Sequence, residues 1–178
     1  MTINYSLSQD DFLQYHLYTS SHSELARKKR QRSRLLLSIG YTAVGSFFLF
    51  KEDKNMGLTF ILMGLLWFAV QPIYVRYRYK KHVKAHLKES LKGAVDRPIS
   101  LTISDKQIST QDGENEAQFA ISELSRFVEL PQHFFIEVVS SGSIIIPKSA
   151  ISNQQQFIQE LKKVGLDYAD HTAWKWGK

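Results

Sequence analysis

The chain has no cysteine among its 178 residues. That excludes disulfides, thiolate nucleophiles and thiolate-ligated zinc or iron–sulfur centres. It also lacks G-x-S-x-G, a Walker A loop and G-x-G-x-x-G, so the common serine-hydrolase, phosphate-cradling and dinucleotide signatures are missing. Charge is absent from two long stretches, Leu35–Phe50 (LLLSIGYTAVGSFFLF) and Gly57–Val75 (GLTFILMGLLWFAVQPIYV). Over the whole chain the composition is that of a folded protein, 43 % apolar and 22 % charged, too apolar for a disordered chain. The mean hydropathy of -0.25 is therefore a blend of two apolar blocks and very polar surroundings. A mass of 20.6 kDa allows one medium domain or a small one with appendages.

As helices at 1.5 Å per residue, the second run measures about 28 Å and the first about 24 Å, against a bilayer core of ~30 Å. The first therefore needs Arg32, Arg34 or Lys51 to snorkel, or local thinning of the bilayer. A core helix in so short a chain would keep a polar face. Leu35, Leu36, Leu37, Ile39, Tyr41, Val44 and Phe47 instead point all round the first run, and the second offers only Thr59 and Gln71. Both runs are predicted to span a membrane. Thirty-four residues precede the first, and FFLF followed by KEDK is a poor cleavage site, so no signal peptide is expected. The six-residue link KEDKNM makes the pair an antiparallel hairpin.

Charge orients that hairpin. Arg27, Lys28, Lys29, Arg30, Arg32 and Arg34 precede the first span; Arg76, Arg78, Lys80, Lys81, Lys84 and Lys88 follow the second. In the link, Lys51 and Lys54 are offset by Glu52 and Asp53. The positive-inside rule puts both termini in the cytoplasm. Aromatics interleaved in YRYKK invite a nucleic-acid reading, but clusters beside spans are topogenic, and no nucleic acid is expected. Contact with anionic head groups is the better expectation, at ~1 kcal/mol per basic residue.

Ser8 is a good N-cap with Asp10 and Asp11 in the first turn. Helices are predicted over roughly Gln9–Phe50, with a break near Thr19–Ser23, and over Met56–Lys92, with Gly93 as terminator. Ser38, Thr42 and Gly45 on one span and Gly57 and Gly64 on the other are candidates for close helix–helix packing. The same small-residue faces could also serve a homo-oligomer.

Beyond Arg97 the character changes. Residues 98–178 hold 7 Lys+Arg and 10 Asp+Glu, -3 against +9 for the remainder. Alternation predicts strands at Ile99–Ser104, Lys106–Thr110, Ala117–Ile121, Arg126–Leu130, His133–Val139 and Ser143–Ile146, with Asn4–Leu7 as a candidate extra strand. Asp112-Gly113 centres a hairpin turn, and Pro147 stops the sheet. Ser152, with Gln155 in a capping-box position, is read as the cap of a helix whose apolar stripe is Phe157, Ile158, Leu161 and Val164. The predicted architecture is an α+β membrane protein, in which a small barrel-like antiparallel sheet is closed by a C-terminal helix. Its parts are an N-terminal strand and amphipathic helix (1–34), the hairpin (35–75, spans 35–50 and 57–75), a basic helical extension (76–96), a sheet domain (97–166) and a tail (167–178).

The order DDFLQYHLY, basic run, two close spans, basic exit, then LTISDKQIS, FFIEVV–turn–SIIIPKSA and a final helix resembles the bacterial YcxB-like membrane proteins. Ile121 stands where the family often has a Trp. The resemblance implies a bacterial plasma membrane and a cytosolic pleckstrin-homology-like (PH-like) domain, and it implies no established activity.

Chemistry is sparse. Neither span contains Asp, Glu, Lys, Arg or His, which a proton relay or transporter normally needs. Gln71-Pro72 reads as an interfacial kink. His82 and His86, one turn apart among lysines, lack the further ligands of a metal site. Asp112, Glu114 and Glu116 resemble a calcium-loop fragment but read as a solvated turn, and His133 reads as structural. Trp174 and Trp176 could dock at a membrane or pack on the domain. No catalytic, metal or cofactor residues are expected. The expected role is a non-enzymatic membrane anchor presenting a module for protein or lipid contact. The alternatives are an oligomeric channel subunit or protection against a membrane-active toxin.

Overall fold

The computed structural model describes residues 1–91, 93, 95–113, 115–140 and 142–176, without the side chains of Ala26 and Arg27. The chain forms two compact units, His16–Ala85 on the one hand and Met1–Tyr15 with His86–Trp176 on the other.

In the helical unit the predicted first helix is two. Helix α1 (Gln9–His22) ends and α2 (Glu24–Phe50) begins on either side of Ser23. The cause lies in the TSSHS side chains. Ser21 Oγ donates to the Tyr18 carbonyl at 2.7 Å, and His22 Nδ1 lies 3.1 Å from the same oxygen. Such local bonds compete with the helical ladder. Arg30 of α2 reaches back to the Ser20 carbonyl and hydroxyl, both at 3.3 Å, so a cation caps the end of α1.

The turn into α3 (Lys54–Ser90) is three residues, shorter than the six-residue link read from the charges. Glu52 N–H donates to the Leu49 carbonyl and Asp53 N–H to the Phe48 carbonyl, each at 3.1 Å, with Glu52 at φ 64. This is a Schellman closure with a non-glycine residue in the left-handed position. Asp53 Oδ1 then accepts from Met56 N–H at 3.1 Å, capping α3 and starting it two residues before the expected Met56. The helix ends at Ser90; the expected terminus at Lys92 lies outside the described residues, and Gly93 has φ +96.

The second unit holds two four-stranded sheets, ordered β1-β2-β3-β4 and β7-β6-β5-β8. The first joins β1 (Thr2–Ser6), β2 (Pro98–Ile103), β3 (Gln107–Asp112) and β4 (Asn115–Ala120), all antiparallel. The N-terminal strand thus joins the C-terminal sheet, 100 residues away at the Thr2–Thr102 pair. The second comprises β5 (Leu124–Glu129), β6 (His133–Val138), β7 (Gly142–Pro147) and β8 (Asp167–Asp170). Two sheets replace the single barrel-like sheet expected.

Helix α4 (Gln154–Lys163) is capped by Asn153, whose side chain accepts from Gln156 N–H at 3.1 Å, and not by Ser152. A 3-10 turn over Lys148–Ala150 and buried Ile151 use the residues before it. Gly165, at φ +92, turns the chain into β8. That strand pairs parallel with β5 and lies within the stretch read as tail. Phe157 and Leu161 of α4 are wholly buried with Leu101, Ile108, Phe127, Phe134, Ile136 and Ile146, and the Phe134 and Phe157 rings are 5.1 Å apart. The helix therefore closes the end of the sandwich where Phe134 pairs with Ile146.

Candidate functional site

Apolar side chains that fail to find a core stay on the outside of α2 and α3. Only 6 % of the most apolar 18-residue stretch of α2, and 11 % of that of α3, is buried. A core helix would be mostly buried. Exposed Leu36, Ile39, Phe50, Leu62, Leu66 and Ile73 belong to that surface. Both helices are long and apolar enough to cross a membrane.

Small residues occupy the faces that α2 and α3 turn to each other. A Cβ on Gly45 would lie 2.7 Å from Ile61 Cγ1 and 2.8 Å from the Gly57 carbonyl oxygen. One on Gly57 would lie 2.5 Å from Leu49 Cγ and 3.0 Å from the Gly45 carbonyl. One on Gly64 would lie 3.3 Å from the Ser38 carbonyl and 3.4 Å from Thr42 Oγ1. The structure thus brings Ser38, Thr42, Gly45, Gly57 and Gly64 to one crossing. Phe48 and Phe60 stack beside it at 5.6 Å.

Pro72 lies inside α3 and has no N–H, which removes the normal partner of the carbonyl four residues earlier. That carbonyl belongs to Phe68. Arg34 Nε of α2 donates to it at 3.0 Å, with the guanidinium 3.6 Å from the centroid of the Phe68 ring. An apolar environment makes an unpaired carbonyl costly, so Arg34 repairs the proline defect as well as contributing charge.

The other basic residues divide. Lys28, Lys29, Arg32, Arg76, Arg78, Lys80, Lys81 and Lys84 are exposed, whereas Arg30 and Arg34 are half-buried against the helices. The Arg27 side chain lies outside the described residues. His82 and His86 are exposed on α3, and among the described residues no three His, Asp or Glu are grouped to hold a metal.

The sheet domain carries two polar clusters, of which only the Ser8 cap with Asp11 in the first turn is expected from the sequence. In the first, Ser8 caps α1 and Asp11 closes a capping box, its Oδ2 accepting from Ser8 N–H and Oγ at 2.7 Å each. Asp11 Oδ1 lies 2.6 Å from Nε2 of His133, 122 positions away, whose side chain is 5 % exposed. Ser8 bonds the carboxylate and not the imidazole, and the ring is enclosed. The trio therefore lacks the nucleophile-to-base contact of a hydrolytic triad. Burial works to raise the Asp11 pKa; the bonds from Ser8 and His133 outweigh it and hold the carboxyl below the usual range. A depressed carboxylate stabilises the fold above its unfolded pKa, ~3.9, and that contribution is lost as pH falls. Melting of the whole chain between pH 6 and pH 3 is expected to show a drop below about pH 4 that Asp11→Asn reduces. An undiminished drop in the variant would refute this assignment.

In the second cluster, Glu129 Oε1 lies 2.5 Å from Lys148 Nζ, and Glu129 Oε2 accepts from the Tyr168 hydroxyl at 2.5 Å. It ties β5, the turn after β7 and β8 together. The bond to Glu129, then burial, pushes the Tyr168 phenol well up. The tail follows the same edge: His171 N–H donates to the Glu129 carbonyl at 2.8 Å, and Trp174 and Trp176 are half-buried.

At the end of the sandwich away from α4 lies an open groove of about 250 Å³. Tyr5, Ile99 and Asp112 form one cross-strand row on its first wall. Val138 and Ile144 line the second, and Phe12 and Phe119 also border it. Asp112 is half-buried here, where the sequence suggested a solvated turn; Glu114 lies outside the described residues.

These features define an α+β protein in which helices are followed by antiparallel sheets and a C-terminal helix, with two helices able to cross a membrane. Residues 103–161, from the end of β2 into α4, match the model of the YcxB-like protein family. No curated protein and no solved structure matches the chain.

Proposed function

We propose that this chain is a non-enzymatic anchor in a bacterial plasma membrane, displaying a cytosolic PH-like module for contact with protein or lipid. The observation that carries the reading is the bare apolar surface of α2 and α3, joined by a three-residue turn and flanked at the other end by exposed cations. Burying that surface in lipid is favourable at roughly 25 cal/mol per Å². The cations at one end set the topology through the positive-inside rule and supply generic adhesion to anionic lipid. The two sheets with α4 across one end support the PH-like description. An oligomeric channel built on the small-residue faces is disfavoured, because those faces are occupied within one chain.

The absence of native cysteine makes the topology directly testable. Lys51→Cys, in the turn, is expected to react with a membrane-impermeant maleimide on intact cells. Thr172→Cys, in the tail, is expected to react only after permeabilisation. Equal labelling of both on intact cells, or recovery of the chain in the soluble fraction without detergent, overturns the reading.

A further inference from the structure

We propose that the open end of the two-sheet domain binds a small organic ammonium ion, held by Asp112 together with Tyr5, Phe12 and Phe119. The proposal does not rest on the membrane reading.

Three observations converge on this groove. First, the half-buried Asp112 lines the groove, and no donor among the described residues reaches its Oδ1. An unpaired carboxylate on a largely apolar wall is costly, and a cationic donor is the strongest remedy. Arg97 borders a second, neighbouring concavity that Asp112 also lines, yet Oδ1 remains without a donor. Second, three aromatic side chains border the groove: Tyr5 from β1, Phe12 from α1 and Phe119 from β4. Carboxylate plus aromatic rings is the chemistry that recognises ammonium groups, through charge and through attraction to the ring quadrupoles. The Tyr5 phenol is itself desolvated, its pKa pushed up by burial, and a dry wall of this kind strengthens a cation's interactions. Third, the remaining wall is apolar, with Ile99, Val138 and Ile144 offering a seat for a hydrocarbon stem.

The groove is small, about 250 Å³, which suits a primary ammonium on a short aromatic or branched stem, free in solution. An anion is disfavoured by Asp112.

The test uses the full chain in lipid discs, titrated calorimetrically with phenethylammonium, 2-phenylethanol and phenylacetate, against empty discs. Phenethylammonium is expected to bind at least tenfold more tightly than the alcohol, with phenylacetate weakest. Asp112→Asn is expected to abolish the tenfold preference. Phe119→Leu is expected to weaken the ammonium several-fold more than the alcohol, and it decides the matter should Asp112→Asn fail to fold. Equal binding of ammonium and alcohol overturns the proposal. So does an absence of binding by any probe, or a preference that survives both substitutions.

Discussion

Glu129→Ala is expected to destabilise the sheet domain by about 3 kcal/mol, the lower end of the range for removing one partner of a buried ion pair. The Glu129 and Lys148 side chains are only 12 % and 14 % exposed. Truncation leaves the Lys148 ammonium desolvated without its counter-charge and the Tyr168 hydroxyl without its acceptor. A nearby ring does not replace the lost counter-charge: Lys148 Nζ is 5.1 Å from the Phe134 centroid, a contact worth ~1 kcal/mol where partly exposed. Tyr168→Phe removes one hydrogen bond and is expected to cost only about 1 kcal/mol. The discriminating variant is Glu129→Leu with Lys148→Met, which removes both charges. It is expected to recover most of the loss, because an apolar pair of similar volume avoids the desolvation cost. Hydrogen exchange at the amides of β5 and β8 gives a local readout, since β8 reaches the sheet only through β5. A single variant within about 1 kcal/mol of wild type, or a double variant no better than the single, would show that the cluster does not hold β8.

These contacts mark the limit of what was legible in the sequence. Elements announced by local periodicity were readable. The uncharged runs gave α2 and α3, and alternation gave six strands to within about two residues, close to the scatter of element ends. The capping box was half-readable: Ser8 and Asp11 stand three apart, but nothing local points from Asp11 to His133. The same holds for β8. Its four residues, DYAD, carry little alternation, and a parallel pairing with β5 needs a crossover that α4 provides. Cap choice between Ser152 and Asn153 turned on how many residues the preceding 3-10 turn consumes. Arg34 was legible as a cation and not as the donor for Phe68. That pairing needs Pro72, the missing N–H and the register of two helices together. The groove row was harder still, since Tyr5 and Asp112 meet only through Ile99 on an intervening strand.

Gly45→Val should open the hairpin, and the neighbouring glycines supply the comparison. An added Cβ meets two obstacles of different kinds. Ile61 Cγ1, at 2.7 Å, can move with its side chain; the Gly57 carbonyl oxygen, at 2.8 Å, is backbone and moves only if the helices separate. Separation loosens the Phe48–Phe60 stack and the contacts of Ser38 and Thr42 with Gly64. Overpacking of this kind costs on the order of 2 kcal/mol, roughly thirtyfold in the population of the close pair. Lipid does not restore the contact, because within a bilayer helix association depends on packing and not on excluding water. Gly40 has no atom within 4 Å of an added Cβ, so Gly40→Val adds the same side chain to the same helix without the clash. Gly64 is intermediate, its nearest atom being Tyr41 Cβ at 3.2 Å. The cysteine-free chain allows a direct readout by linking Tyr41→Cys to Phe60→Cys, whose native rings lie 6.5 Å apart, with a short bifunctional thiol reagent. The crosslink should form readily in the unmodified and Gly40→Val backgrounds and at least tenfold more slowly with Gly45→Val. Equal rates in all three would mean that the helices are held by something other than the glycine crossing, and would return those small-residue faces to the candidates for contact between chains.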